Sequence, residues 1–150
     1  MKTLKTFIFA SGLVGAAAFA QPVEVKCPEG TVLRESEGIV FYCVKPGGGR
    51  LDTTPYVMLH KNGKVYAKGE FRNGKREGRW EYFDEEGRPT GVTHFKDDRF
   101  DGTRIFYDAE GEVREEQNWQ AGKREGEQKR RVGNEWKKRT FKSDRLIADK

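Results

Sequence analysis

The chain has 150 residues and carries 29 lysines and arginines against 24 aspartates and glutamates, a formal net charge of +5. Residues 1–20 include two of the lysines, so the remaining chain carries +3. This small excess gives no support to nucleic acid as a partner. The charge is uneven, since the segment Lys123–Lys150 holds 11 basic and 5 acidic residues. Such asymmetry is typical of a surface for an anionic partner or of a solvated sheet edge.

The first predicted element is a secretory signal peptide over residues 1–20. Two lysines precede an apolar run that closes on small residues at Ala18 and Ala20. A positive start, a short apolar run and a small-residue cleavage site are the three parts of such a signal. The run of about 14 residues is shorter than the ~20 of a spanning helix, and no cysteine follows it directly. We therefore expect cleavage after Ala20, no lipid anchor, and a periplasmic or secreted protein.

The next predicted element is a hairpin between the two cysteines. Cys27 and Cys43 flank two β-prone runs that are separated by a turn containing Gly38, a pattern typical of a hairpin. Paired thiols become disulfides in the oxidising compartment that export reaches. A metal site would need more ligands nearby, and a redox pair usually has closer Cys-x-x-Cys spacing. We predict a disulfide hairpin module over residues 21–46 and a Pro/Gly-rich linker over 47–54.

The remainder of the chain repeats with a period of 24 residues. Glycines, aromatic residues and turn segments recur at this spacing without a gap. The recurring positions are Gly63, Gly87 and Gly111; Gly78, Gly102 and Gly126; and Phe71, Phe95 and Trp119. The segments 73–78 and 121–126 nearly coincide and lie two periods apart. A fixed period of roughly 20 to 50 residues is typical of a repeat architecture.

This repeat predicts the fold. Each period contains two β-prone runs, an Asp-x-x-Gly-like turn and a second Gly-bounded turn, which indicates successive antiparallel hairpins. We therefore predict an all-β fold: an elongated single-layer antiparallel sheet of tandem β-hairpin repeats, preceded by the small disulfide-linked hairpin. The repeats span residues 55–78, 79–102 and 103–126, followed by a degenerate capping repeat over 127–150. Equivalent aromatic residues should lie in one row on one face.

The residues that carry the register resemble a known family. Gly-Lys-Arg-Glu-Gly over residues 74–78, the aromatic strand Trp-Glu-Tyr-Phe over 80–83 and the Asp-x-x-Gly turn after it are similar to the bacterial variant of the membrane occupation and recognition nexus (MORN) repeat, closest to YwqK-like antitoxin-type proteins. The resemblance covers residues 55 to about 142. It implies a hairpin solenoid for protein–protein or membrane-proximal contacts, without an active site. The last period departs from the pattern, since residues 132–135 replace the acidic turn, which suggests a shortened capping hairpin.

Residues that usually carry catalysis are sparse. His60 stands where the next period has Asp84, and His94 falls at a position that is polar in the other periods. No spacing indicates a nucleophile–base pair, a phosphate-binding glycine loop or a zinc site. The acidic clusters at 84–86 and 97–98 could bind calcium weakly, but solvated turns explain them better. The sequence predicts no catalytic residue, no metal and no cofactor.

Two groups of residues are candidates for contact with a partner. The repeated aromatic residues are predicted to form the core, so the less repeated ones are better binding anchors: Trp80, Tyr107 and Trp136. The second group is the basic cluster of the last period: Lys129, Arg130, Arg131, Lys137, Lys138 and Arg139. If the chain turns near Gly133-Asn134, these two triplets lie on facing strands. Like charges opposite each other destabilise a sheet, unless internal carboxylates or a partner supply negative charge.

Three functions agree with these observations. The first is a non-catalytic exported scaffold or adaptor that binds another protein of the cell envelope. The second is an immunity protein that neutralises a toxin outside the cytoplasm. The third is a binder of anionic envelope surfaces, including membrane headgroups, through the basic cluster. None of the three involves nucleic acid.

Overall fold

The structure, a computed structural model, describes residues 7–8, 23–49 and 51–150. The predicted signal peptide therefore lies outside the described residues, apart from residues 7–8. Every regular element described is a β-strand. The strands are β1 (Phe7–Ile8), β2 (Val23–Glu24), β3 (Val32–Ser36), β4 (Val40–Val44), β5 (Thr53–Leu59), β6 (Val65–Arg72), β7 (Lys75–Phe83), β8 (Pro89–Lys96), β9 (Arg99–Tyr107), β10 (Val113–Gln120), β11 (Lys123–Arg124), β12 (Gly126–Val132), β13 (Glu135–Lys142) and β14 (Arg145–Asp149).

The strands pair in the order in which they follow one another along the chain. β1 and β2 form a two-stranded antiparallel sheet. The other strands form one 12-stranded antiparallel sheet that runs from β3 at one edge to β14 at the other, with the short β11 paired to β10. The predicted open sheet of tandem hairpins is thus confirmed. Within the described part of the chain, no helix could cross a membrane.

The Asp-x-x-Gly turns are closed by their aspartate. Asp84 Oδ1 accepts hydrogen bonds from the backbone N–H groups of Glu86 (3.0 Å) and Arg88 (2.8 Å), and Asp108 does the same one period later. A short carboxylate satisfies amides that the turn would otherwise leave unpaired. Gly87 has a φ of 86°, which glycine adopts without a steric penalty. The sequence pattern therefore recurs because each of these hairpins needs the same closure.

The second turn of each period has two central residues with positive φ. Asn73 and Gly74 adopt 49° and 78°, and Asp97 and Asp98 adopt 51° and 67°. Turns of this kind match the right-handed twist of the flanking strands. Asparagine and aspartate tolerate positive φ better than most residues, which explains how an Asp-Asp pair replaces Asn-Gly in the middle period.

The disulfide hairpin belongs to the same sheet as the repeats. Cys27 and Cys43 are bonded as predicted, and β4 pairs directly with β5. The predicted linker over 47–54 runs into β5, where Thr54 Oγ1 accepts a hydrogen bond from the Cys43 N–H at 3.0 Å. Hairpin and first repeat share one hydrophobic cluster, whose buried members are Val25, Phe41, Cys43 and Leu59. The hairpin and the first repeat therefore bury these side chains together.

The hairpin of the last period, β12–β13, is shorter than the hairpins of the three earlier periods. β6, β8 and β10 end at residues 72, 96 and 120, whereas β13 ends at Lys142, two residues before the period is complete. The chain turns at Gly133–Asn134, because Val132 pairs with Glu135. The basic triplets therefore face each other across β12 and β13, as expected.

Candidate functional site

One face of the sheet carries a continuous row of aromatic rings, which we call the ladder face. Phe71, Phe95 and Trp119 lie in this row as predicted, with rings from the intervening strands between them. Successive ring centroids are 5.0 to 6.1 Å apart, within the range of favourable aromatic pairs. The row consists of Tyr56, Phe71, Trp80, Phe95, Phe100 and Trp119. In an open sheet these rings supply much of the apolar packing.

Trp80 lies in the middle of this row and is only 3% exposed. Its indole N–H donates to the Glu70 carbonyl at 3.2 Å. The ring lies directly over Gly69, where an added Cβ would be 2.7 Å from Trp80 Cγ. A glycine inside a strand often marks such a close approach, and Gly69 was the signal in the sequence. This burial argues against Trp80 as a contact residue.

Two arginines extend the row of rings. The guanidinium groups of Arg76 and Arg124 each lie 4.1 Å from the centroid of a ring, Phe95 and Phe141 respectively. Cations at this distance from an aromatic face are attracted to it. Trp119 pairs with Arg124 across β10 and β11, so the row continues from the rings through Arg124 to Phe141.

Both arginines also bind the next turn through an aspartate. Asp98 Oδ1 accepts hydrogen bonds from Arg76 Nε at 2.9 Å and from the Arg76 backbone N–H at 3.0 Å. Arg124 makes the same two bonds to Asp144, at 3.2 and 2.9 Å. The Arg76 side chain holds the pKa of Asp98 below its usual value. The backbone N–H of Arg124, followed by its side chain, does the same for the pKa of Asp144.

This arrangement recurs every second period. Between Arg76 and Arg124, the equivalent position is Phe100, which stacks on Phe95 and Trp119. The turn that follows contains Gly122, whose N–H donates to the Phe100 carbonyl. Arginine thus occurs opposite an aspartate turn and phenylalanine opposite a glycine turn. The near-identity of 73–78 and 121–126 was the sequence signal for this alternation.

The basic triplets of the last hairpin divide between the two faces. Arg130 lies directly across from Glu115 on β10 and from Lys137 on β13. Glu115 in turn lies across from Phe106 on β9. The Arg104 guanidinium contacts the Phe106 ring and also the Phe100 ring of the ladder. Directly opposed residues share a face, so these side chains belong to the ladder face. The basic members of the two triplets on that face are Arg130, Lys137 and Arg139. Lys129, Arg131 and Lys138 lie on the opposite face, together with Trp136.

The ladder face is concave over β10 to β14 and forms a groove of about 740 Å³. Phe141, which is 8% exposed, and Gln128 contribute to its lining. Seven basic and two acidic residues also line it: Arg124, Lys129, Arg130, Arg131, Lys137, Arg139 and Lys150, with Glu115 and Asp149. Four of these basic residues have their side chains on the ladder face, namely Arg124, Arg130, Lys137 and Arg139. The groove therefore combines an apolar ring with an excess of positive charge.

Internal carboxylates balance part of this charge. On the ladder face, Lys137 lies 3.2 Å from Glu135 and Arg139 lies 3.2 Å from Asp149. Arg130 is 4.0 Å from Glu115. On the opposite face, Lys129 and Lys138 share Glu127, and Arg131 pairs with Asp108. The facing triplets are thus tolerated by the sheet itself, and a partner is not required to offset their repulsion.

The other candidate residues have their side chains away from the ladder face or lie apart from the groove. Trp136 is 43% exposed on the opposite face of β13, and Tyr107 is half-buried at the end of β9. Of the nine residues predicted to contact a partner, four have side chains on the ladder face, and three of these, Arg130, Lys137 and Arg139, lie together in the groove. The other basic residues, Lys129, Arg131 and Lys138, lie on the opposite face, because successive side chains of a strand point to alternate faces.

The histidines have structural contacts. His60 Nε2 lies 2.9 Å from the Phe83 carbonyl, and His94 Nδ1 lies 2.7 Å from that of Thr103. Among the residues that the structure describes, no group of three His, Cys, Asp or Glu side chains could hold a metal ion.

No protein family matches the sequence, and no curated protein matches it. Among solved structures, the chain is similar to accessory secretory protein 1, 2 and 3 of Streptococcus pneumoniae, with 14% identity, 78% of this chain covered and a TM-score of 0.38. It is also similar to the GtfA/B complex, with 19% identity, 73% coverage and a TM-score of 0.41, and to S. aureus TarM, with 14% identity, 77% coverage and a TM-score of 0.26. The chain spans 20 to 22% of the length of these chains. TM-scores this low carry no conclusion about activity.

Proposed function

We infer that this protein is a non-catalytic binding module of the cell envelope, which holds another protein against the ladder face of its C-terminal hairpins. The observation that carries this inference is the groove over β10 to β14, where positive side chains surround a buried phenylalanine ring. Interfaces of this kind combine an apolar anchor with charged groups that select the partner. The signal-peptide pattern supports an extracytoplasmic location.

The resemblance to MORN-type repeats supports the same role, because open hairpin arrays present one long surface to a partner. Neutralising an exported toxin would be one form of such binding. A flat membrane is a less suitable partner for this site, since the cations line a concavity. The scaffold function is therefore the one that the geometry favours.

The test compares two variants of the mature protein that lose the same charge. The ladder-face triple is Arg130→Gln, Lys137→Gln and Arg139→Gln. The opposite-face triple is Lys138→Gln, Lys142→Gln and Arg145→Gln, whose members are exposed and, by their pairing, lie on the other face of the same hairpins. Each protein is used to capture partners from extract of its native envelope, with capture quantified by mass spectrometry.

We expect the wild type and the opposite-face triple to capture the same envelope protein, and the ladder-face triple to lose it. Thermal midpoints of the three proteins should agree within a few degrees, since exposed ion pairs contribute little stability. Equal capture by both triples would contradict the proposed surface.

A further inference from the structure

We propose that the groove binds an extended acidic segment of a polypeptide, in which carboxylates recur at every second residue; this rests on the proposed function and names the chemistry of the partner. The first argument is charge, because seven basic residues line the groove against two acidic ones, and three of the basic side chains on the ladder face, Arg130, Lys137 and Arg139, are held by exposed pairs. Complementary charge across an interface selects the partner and speeds its association.

The second argument is the spacing of the cations. Lys137 and Arg139 lie two residues apart on β13, and Arg130 lies directly across from Lys137 on β12. Strand residues rise by about 3.3 Å each, so side chains on one face recur at roughly 6.6 Å. An extended peptide repeats its own side chains at the same distance. Acidic residues at two alternate positions of such a peptide therefore match Lys137 and Arg139, and Arg130 lies beside the first of these positions.

The third argument is that the internal partners of these cations are exchangeable. Arg130, Lys137 and Arg139 are 70%, 58% and 62% exposed. Exposed pairs of this kind contribute between about 0 and 1 kcal/mol. A carboxylate from a partner can therefore replace the internal one without a large loss. Arg124 differs, because it is held by both Asp144 and the Phe141 ring, and we assign it to the fold.

The fourth argument is a cation beside the groove, Arg104, whose Nε has no hydrogen-bond partner among the described residues. Arg104 pairs with Thr93 on β8 and with Gln117, a groove residue, on β10. Its guanidinium lies between the Phe100 and Phe106 rings, at 4.7 and 4.6 Å from their centroids. This Nε is also buried. A buried donor without a partner is unfavourable, so a shift of this guanidinium towards a carboxylate bound in the groove would give the Nε–H a hydrogen bond.

The experiment uses the mature protein and two synthetic peptides of identical composition. One peptide alternates glutamate with threonine, and the other holds the glutamates in a single block. We expect the alternating peptide to bind several-fold more tightly by calorimetry, with affinity falling as salt is added. The ladder-face triple should weaken this binding by roughly tenfold, as expected for three exposed charge pairs, and the opposite-face triple should leave it unchanged.

Titration of the alternating peptide should also shift the NMR signal of the Arg104 Nε–H, which the blocked peptide should move less. Equal affinity for both peptides would overturn the proposal, because bulk charge would then explain the binding. Tighter binding to polygalacturonate or to phosphatidylglycerol vesicles, lost in the ladder-face triple, would overturn it in favour of another anionic ligand. Failure of all probes, with capture of an envelope protein still dependent on the ladder-face cations, would refute this peptide chemistry and leave the proposed function standing.

Discussion

Arg76 joins two adjacent hairpins through two different contacts. Its guanidinium lies over the Phe95 ring, and its Nε and backbone N–H both donate to Asp98. Arginine suits this position because its planar guanidinium stacks and donates at the same time. Arg124 repeats the arrangement with Asp144 and Phe141. Aspartate at the turn is therefore a link between repeats as well as a turn residue.

The Asp98 contact makes part of the stability depend on pH. Arg76 lowers the pKa of Asp98 from 3.8, so the folded carboxylate loses its charge at a lower pH than the unfolded one. The stabilisation is present above about pH 4 and is lost as pH falls through the folded pKa. We expect Asp98→Asn to lower the free energy of unfolding at pH 7 by a few tenths to about 1 kcal/mol, since the pair is partly exposed.

Thermal unfolding between pH 2 and 7 checks this expectation. The wild type and Asp98→Asn should converge at the acid end, where Asp98 is protonated in both states of the wild type. Asparagine keeps the turn, because it tolerates the φ of 67° that Asp98 adopts. Asp101→Asn, which removes one carboxylate from the neighbouring strand, is the matched control. A constant difference between wild type and Asp98→Asn at every pH would contradict the assigned contact.

Single residues also show where sequence reasoning fell short. Trp80 was not assigned to the core because an aromatic residue recurs at its position in only one other period, as Tyr56, yet Gly69 makes room for its ring within the ladder. Phe100 was missed because the equivalent positions hold arginines. The positions of both rings depend on contacts between neighbouring strands. The 24-residue period of the sequence does not reveal such contacts.

At the scale of elements, the hairpins could be predicted well. Glycines at fixed spacing and aspartates that close turns are local requirements, so they are visible in a single period. The junction between the disulfide hairpin and β5 was less visible, because the Pro/Gly-rich stretch indicates a break. The structure instead pairs β4 with β5 beyond that stretch. A shared apolar cluster decides this contact, and burial across strands is not a periodic signal.

The disulfide should stabilise one end of the sheet. Cys43 is 1% exposed within the cluster that contains Phe41 and Leu59, and its bond to Cys27 closes a loop of 16 residues. Replacing both cysteines by serine should destabilise this end by about 3 kcal/mol. Repeat arrays lose structure locally, so hydrogen exchange should become faster in β3 to β5. Exchange in β12 and β13 is the internal control and should not change; equal acceleration throughout would contradict a local role.

At the scale of the molecule, the natural unit is two periods. Deleting residues 60–107 removes two whole periods and joins β5 directly to the turn at Asp108. The Asp52 carbonyl, which now accepts from the Asn73 N–H, would then face the equivalent Ala121–Gly122 turn. Deleting residues 60–83 removes a single period and sets Asp52 against the Asp97–Asp98 turn without Arg76. The carboxylate of Asp52 would then face that of Asp98, at the position where the full chain has Arg76.

We therefore expect the single-period deletion to lose more stability than the loss of one repeat accounts for, because an unfavourable carboxylate contact is added to the lost packing. Thermal midpoints and far-ultraviolet circular dichroism of both deletion proteins provide the measurement. Asp98→Asn placed in the single-period deletion should recover part of the loss, because it removes one of the two opposed carboxylates. If Asp98→Asn did not stabilise the single-period deletion, the alternation of arginine and phenylalanine would have no energetic meaning.

The order of the strands also bears on how the chain reaches this structure. Each strand of the large sheet pairs with strands next to it in the chain, except that β12 pairs with β10 across the short β11. The loops that must close before pairing begins are therefore short, and closing short loops loses little chain entropy. β-Sandwiches and β-barrels fold slowly because many of their strands pair with partners that are far away in the sequence. Folding of this sheet can begin at any hairpin and extend to the neighbouring strands in both directions. We therefore expect a folding rate closer to that of helical proteins than the all-β composition suggests.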